Sequence, residues 1–382
     1  MKVAVLGFGT IGVGIYEMLK GTPGLEAGPV LVRPGKEDES FKVSSIEQIV
    51  NDPSVDAVAE AMGGIEPAFS YASAALKAGK HFVTSNKALV AAKGPELAKI
   101  AEEKGAAFLF SAACGGAVPI LHNMALAVES DEILSVGGIL NGTTNFMLDA
   151  MQRRDMSYEE ALKEAQKLGY AEADPTADVT GLDALRKIML ACAVAYGKLP
   201  VDGLNNEGID SFTAQDVSFI KSKGLTCRLI VSGIPSEDGS LAAYVEPVLF
   251  ESNAPECSVL NNFNMAKYNG KNSGSIVLMG QGAGRWPTAS AVLRDLCDIR
   301  SGRMCMMRPD VETVVADNSG CVHKYCIRLQ AGTEAPFPLE SYELYGDKVY
   351  MFTQAVPVSA MHEAAKEIRE KGGKVFFAAI GE

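Results

Sequence analysis

No CxxC pair occurs among the eight cysteines, and the chain holds only four histidines. Zinc-type clusters need closely spaced Cys and His, so that class is excluded. There is no run of Lys and Arg either. With 35 basic against 47 acidic residues the formal charge is −12, whereas nucleic acid or an anionic membrane calls for clustered positive charge. No segment reaches the roughly 18 consecutive apolar residues of a membrane span. MKVAVLGFG opens the chain without the charged region and cleavage site of a signal peptide. A disulfide framework is not expected at 382 residues, so reduced thiols and a cytoplasmic setting fit best. What is present is a globular composition, 47% hydrophobic and 21% charged, long enough for two or three domains.

Lys2–Leu6 is a β-rich apolar run, followed by Gly7-Phe8-Gly9-Thr10-Ile11-Gly12 and a helical pattern through Ile15, Met18 and Leu19. Further strands are expected at 30–32, 57–59, 81–84 and 107–110, with helices at 45–51, 67–78 and 94–104 between them. Such alternation implies a parallel sheet. A Gly-rich stretch at 114–116 leads into a helix near Pro119. From residue 133 the pattern changes to strand 135–140, helices 157–168, 181–196 and 213–222, and strands 226–233, 241–249 and 274–279, an α+β grammar. A helix at 287–298 returns to the first domain, and a small βαβ-like unit follows from residue 320.

The glycine fingerprint stands in its required context of strand, turn and helix. Gly7 makes the tight turn, Gly9 lets backbone approach a pyrophosphate, and Gly12 lets helix and strand pack closely; the helix N–H groups then attract phosphate. NAD binders carry an acid at the end of the second strand. Here Arg33 stands at that position with Lys36 close behind, which favours the 2′-phosphate of NADP over NAD; Glu37, Asp38 and Glu39 follow at once and leave NAD open. Lys87, after the strand ending at Thr84, lies at the C-terminal edge where open α/β sheets bind ligands; a surface lysine gives the same pattern.

The loop from Gly169 to Thr180 carries Glu172, Asp174 and Asp178 and leads into Gly181-Leu182-Asp183-Ala184-Leu185-Arg186-Lys187, the start of an apolar helix. Asp183 and Lys187 are four apart and share a helix face. An acid and an amine at the mouth of a buried helix suit proton transfer at an alcohol, and Glu172 and Asp178 suit a substrate ammonium. A plain ion pair with an acidic loop complementing the helix dipole also accounts for these residues.

These motifs together resemble homoserine dehydrogenase. The resemblance runs from residue 1 to about residue 300 and rests on GFGTIG, Ser85-Asn86-Lys87-Ala88-Leu89, GGAVPIL at 115–121, GILNGTTNFML at 138–148, GYAEADPTADVTGLDALRK at 169–187, and GQGAG at 280–284 with PTASAV at 287–292. It implies an α/β protein with three parts. These are an N-terminal Rossmann doubly wound parallel sheet over 1–133, completed by helix 287–300; an α+β substrate and dimerisation domain over 134–286; and a small ACT-like unit over 318–382. The implied activity is NAD(P)-dependent interconversion of L-homoserine and L-aspartate 4-semialdehyde, in threonine, methionine and isoleucine biosynthesis, by a homodimer or higher homo-oligomer. Lys187 is then the proton carrier and Asp183 its orienting partner, with Lys87 a second lysine near nicotinamide and substrate. Glu172 resembles the ammonium-binding residue; Gly142, Thr143, Tyr170 and Asp178 match other substrate positions. Ser85, Gly169, Gly282 and Gly284 resemble cofactor contacts.

Two departures stand out. The family often has a glutamate before the glycine turn that binds a sodium-like ion; Ser111 stands there, leaving the carbonyls of Cys114, Gly116 and Val118 as ligands and lowering the expected affinity. The tail has only the second half of an ACT pattern, with Pro336 and Pro338 where a helix is expected. Two rival readings remain. An aspartate-semialdehyde dehydrogenase would use Cys114 as nucleophile, and a nucleotide sensor would keep the fold without the chemistry.

Overall fold

The computed structural model describes residues 1–381. Two compact units share the chain. The first consists of Met1–Ile133, Leu190–Leu199 and Gly280–Thr313, and the second of Leu134–Met189, Pro200–Met279 and the chain from Val314 onward.

In the first unit β1 (Lys2–Leu6), α1 (Thr10–Gly21), β2 (Glu26–Leu31), β3 (Lys42–Val43), α2 (Glu47–Val50), β4 (Ala57–Glu60), α3 (Ala68–Lys77), β5 (His81–Thr84), α4 (Lys87–Lys104), β6 (Phe108–Leu109) and α5 (Ile120–Ala127) follow one another. The six strands are all parallel in the order β3-β2-β1-β4-β5-β6, the doubly wound order of dinucleotide-binding sheets. Its central strands β1 and β4 are almost wholly buried, which is why they read as continuous apolar runs. The order reverses between β1 and β4, so the crevice at their C-terminal ends receives the glycine turn. The helix expected over 94–104 starts earlier, at Lys87, where the Asn86 side chain accepts from the Leu89 N–H; Gly94 and Pro95 inside the helix disguise its first turns. The two-residue β3 has too little pattern to be read from sequence.

The chain continues with β7 (Ile133–Ile139), α6 (Gly142–Arg154), α7 (Tyr158–Lys167), α8 (Thr176–Val179), α9 (Leu182–Tyr196), β8 (Lys198–Asp202), β9 (Asn205–Asn206), α10 (Ala214–Ser222), β10 (Leu225–Pro235), β11 (Leu241–Glu251), β12 (Phe263–Gly270) and β13 (Gly274–Gln281). α11 (Arg285–Arg300) is grouped with the first unit. Then come β14 (Glu312–Val315), β15 (Val322–His323), β16 (Tyr325–Gln330), β17 (Leu339–Tyr345), β18 (Lys348–Thr353), β19 (Val356–Pro357), α12 (Val358–Glu370) and β20 (Phe376–Ile380). Capping boxes start α7 and α10, Ser157 with Glu160 and Thr213 with Asp216, each satisfying two N–H groups that a helix start leaves open.

The second unit is built on one large sheet ordered β13-β12-β7-β10-β11-β20-β16-β18-β17, with β9 also paired to β11. This corrects the expectation of a separate C-terminal unit over 318–382. β20 pairs parallel with β11, Val248 opposite Ala379 and Leu249 opposite Ile380, and antiparallel with β16. Val248 and Phe250 share a core with Tyr325, Ile327, Met361 and Phe377. Tail and substrate region therefore bury one another's apolar faces. Burial alone specifies such a pairing, and residues so far apart in sequence leave no local periodicity to announce it.

Candidate active site

The residues singled out in the sequence are divided between the two units. In the first, Gly7 follows β1 with φ +91° and Gly9 caps α1 without a side-chain bond. A Cβ on Gly12 would stand 2.0 Å from the Gly7 carbonyl oxygen, while one on Gly9 would meet nothing within 4 Å. The turn is thus closed where helix meets strand and open where a phosphate approaches, with the N–H groups of Thr10, Ile11 and Gly12 at the helix start. This geometry fits a dinucleotide.

Arg33 and Lys36 are exposed beyond β2. The acids that follow them have other partners. Asp38 and Glu39 lie 2.6 and 3.0 Å from the Lys42 ammonium, and the Ser44 hydroxyl holds the Glu37 carboxyl below its ordinary value. At the end of β5, Ser85 donates to the Glu60 carbonyl through its N–H (3.2 Å) and hydroxyl (3.4 Å), and Lys87 is the first residue of α4.

Glu60, which sequence reasoning missed, is completely buried at the end of β4. One carboxylate oxygen accepts from the N–H groups of Met62 and Gly63 (2.6 and 3.2 Å), the other from the Thr84 hydroxyl (2.5 Å). It ties the loop after β4 to the end of β5 and so positions Ser85 and Lys87. An acid closing the apolar Ala57-Val58-Ala59 run was the available signal.

The glycine turn after β6 is held differently. The Val118 carbonyl accepts from the Ile120 N–H at 2.9 Å, and Arg294 of α11 donates to the Ala117 carbonyl at 3.3 Å. The Ser111 N–H donates at 2.8 Å to Asp295, whose carboxyl burial pushes up to about 7. Cys114 is fully buried. Gly116 lies against the carbonyl of Gly282, and Gly284 caps α11.

In the second unit Lys187, Asp183 and Asp178 come together around Asn141. Lys187 and Asp183, one turn apart on α9, lie 2.7 Å from each other and are 8% and 7% exposed. The Lys187 ammonium also donates to the Leu140 carbonyl at 2.6 Å. Asn141, between β7 and α6, donates to Asp178 (2.7 Å) and Asp183 (2.9 Å) through one side-chain nitrogen. Its side-chain oxygen accepts from the Thr144 N–H at 2.8 Å and caps α6. Burial raises the Asp178 carboxyl above its ordinary value; the Asn141 bond opposes that rise and the Asp183 charge adds to it. Gly142 opens α6, Thr143 donates to the Tyr170 carbonyl at 2.6 Å, and the Tyr170 ring meets Phe146 edge-on at 5.2 Å. Glu172 is exposed on the loop after α7, near Gly169, and is not drawn into the buried cluster. Asn141 is the member of this cluster that sequence reading missed. A polar side chain directly after an apolar strand and three before an open N–H was its only signal.

The homoserine dehydrogenase family model matches residues 119–297, and that of the homoserine dehydrogenase NAD-binding domain matches residues 7–111. The homoserine dehydrogenase of Bacillus subtilis (strain 168) is 37% identical over 314 residues, 78% of this chain and 72% of its own length.

The chain belongs to the homoserine dehydrogenases.

The crystal structure of a homoserine dehydrogenase from Thiobacillus denitrificans superposes with a TM-score of 0.88 at 28% identity, over 100% of this chain and 98% of that one. That of S. aureus homoserine dehydrogenase at pH 8.5 gives 0.76 at 27% identity, over 100% and 98%. As a homoserine dehydrogenase the protein is an oxidoreductase that interconverts L-homoserine and L-aspartate 4-semialdehyde with a nicotinamide cofactor, a step toward threonine, methionine and isoleucine. Neither the aspartate-semialdehyde dehydrogenase nor the sensor reading agrees with this membership, and a fully buried Cys114 is poorly placed to act as a nucleophile.

Proposed function

We propose that Lys187 carries the proton at the substrate oxygen, with Asp183 fixing its ammonium and Asn141 fixing Asp183. The carrying observation is the buried Lys187–Asp183 pair at 2.7 Å. In a site withdrawn from water such a pair holds its geometry, and a positioned amine exchanges a proton with an alkoxide or alcohol oxygen. The bound nicotinamide supplies the chemistry of hydride acceptance from the alcohol carbon, or its return to the aldehyde carbon. Glu172 takes the substrate ammonium, Asp178 supports it, and Gly142, Thr143 and Tyr170 shape the wall around them. Gly169, Gly282 and Gly284 offer backbone to the cofactor, and Ser85 and Lys87 face it from the end of β5.

NADP is the preferred cofactor in this reading. Support comes from Arg33 and Lys36 beyond β2 and from the engagement of the neighbouring acids with Lys42 and Ser44. A sodium-like ion would be held by the carbonyls of Cys114, Gly116 and Val118. With Ser111 neutral and the Arg294 guanidinium already on the Ala117 carbonyl, its affinity is low. A homodimer is supported by the sheet edge β13, where Val277 and Met279 are 47% and 57% exposed. No helix among the described residues is long and apolar enough to cross a membrane, and a cytoplasmic location accords with eight cysteines outside any disulfide.

The test compares Lys187→Ala with Lys87→Ala in steady-state oxidation of L-homoserine by NADP and NAD. Lys187→Ala is expected to lower kcat on the order of a hundredfold or more. An unchanged rate would move the proton-carrying role to Lys87.

A further inference from the structure

The segment that bears the catalytic acids is clamped from outside. Immediately before Asp183, the Val179 carbonyl accepts from the Ile209 N–H at 2.8 Å and the Thr180 carbonyl from the Asn206 side chain at 2.7 Å. Gly208 lies so close that a Cβ on it would stand 2.1 Å from the Val179 carbonyl oxygen and 2.5 Å from the Thr180 Cα. Residues 206–209 thus form a strap packed backbone to backbone on 179–181. Asp178 precedes the clamped turn, and Asp183 and Lys187 follow it.

Glu207 sits in the middle of that strap, 5% exposed. Its N–H donates to the Val245 carbonyl at 2.8 Å, which seats the strap on β11. Its carboxylate receives both terminal nitrogens of Arg369 on α12, at 2.9 and 2.5 Å. α12 is itself anchored, since His362 lies 3.3 Å from Glu246, a buried residue of β11 that also accepts from the Tyr325 hydroxyl. A two-pronged guanidinium–carboxylate pair fixes orientation as well as distance. A buried carboxylate that lost this partner would be left uncompensated.

We propose that Arg369 is a positioning residue for the dehydrogenase reaction: through Glu207 it holds the 206–209 strap against 179–181 and so keeps Asp178, Asp183 and Lys187 in register with Asn141. The tail helix then belongs to the catalytic apparatus, although it is far from the reacting groups in sequence and carries no group that touches substrate. This inference rests on the assignment of Lys187 and Asp183 to the reaction.

The experiment uses the full chain with Arg369→Ala, Arg369→Lys, Glu207→Gln and the double variant Arg369→Ala/Glu207→Gln. It measures kcat and KM for L-homoserine, the Kd for NADPH by its fluorescence, and the melting temperature. Arg369→Ala is expected to lower kcat/KM for homoserine by ten- to a hundredfold, the order of loss that small misplacements of catalytic groups produce. The NADPH Kd, set chiefly by the glycine turn and the cations beyond β2, should stay within about twofold of the parent. Arg369→Lys should recover part of the rate, and the double variant should be no slower than the slower single. Should Arg369→Ala fail to fold, Arg369→Lys and Glu207→Gln are judged by the same split between homoserine kinetics and NADPH binding. Parental kcat and homoserine KM in the folded variants, with only a lower melting temperature, would reduce the pair to a structural contact and overturn the proposal. If Lys187→Ala also leaves the rate unchanged, the site assignment itself fails. If only Lys187→Ala abolishes turnover, the failure is confined to Arg369.

Discussion

Asp183 accepts a hydrogen bond at 2.9 Å from the side-chain amide of Asn141, a residue that belongs to a different helix boundary of the same unit. That amide nitrogen also donates to Asp178 at 2.7 Å, so one neutral donor stands between two carboxylates that would otherwise face each other.

Replacing the donor by an acceptor tests this arrangement. Asn141→Asp keeps an oxygen to cap α6 and loses the bond to both acids. Like charges in a buried cluster then push the carboxyls further up. Activity at neutral pH should fall by on the order of tenfold or more, with little loss of helix capping. The kcat/KM for homoserine and the melting temperature, measured together, check both halves of the statement.

Glu172 faces solvent on its loop, which suits a residue that meets its ligand only when substrate arrives. Glu172→Gln should raise the homoserine KM and leave kcat nearly unchanged, the signature of a binding contact equal in ground and transition states. A defect in kcat alone would contradict an ammonium-binding role.

Cofactor choice should follow the cations beyond β2. Reversing the charge in Arg33→Asp should lower kcat/KM with NADP by on the order of tenfold and bring NAD level with it or ahead, because a 2′-phosphate meets repulsion where a 2′-hydroxyl gains an acceptor. Rates with both cofactors, measured side by side, decide it.

Asp295 makes a pH-dependent contribution to stability. Its carboxyl sits near 7 in the folded unit against an ordinary value of 3.8. As pH rises between those values the unfolded chain releases this proton and the folded chain keeps it. The unfolded state then binds fewer protons, so stability falls across that window and levels off above it. The full effect is on the order of 4 kcal/mol. Asp295→Asn should flatten this fall, and melting temperatures of both proteins from pH 4 to 8 would show the two curves diverging as pH rises.

The sequence made some of this legible because some of it is local. The Gly7–Gly12 turn, strands β1 and β5, and the Asp183–Lys187 spacing all follow from periodicity or steric need within a few residues. α6 escaped notice because it buries Thr143, Thr144, Asn145, Asp149 and Gln152, polar residues that hide an apolar face. β12 carries Asn264, Lys267 and Asn269 among its eight residues, and its strand character comes from pairing. Glu60 and Asn141 owe their roles to partners brought in by the fold, Thr84 for one, Asp178 and Asp183 for the other. Spacing along the chain contains no trace of such meetings.

The place of β20 between β11 and β16 sets the timing of assembly on the ribosome. Domains tend to fold as they emerge, and the first unit has its six strands once residue 109 is out but lacks α11 until residue 300. The second unit cannot complete its sheet until β20 is available, so Val248 and Phe250 lack much of their core until β16, α12 and β20 have followed them. Both units therefore stay open over much of the chain, the first waiting for α11 and the second for β20.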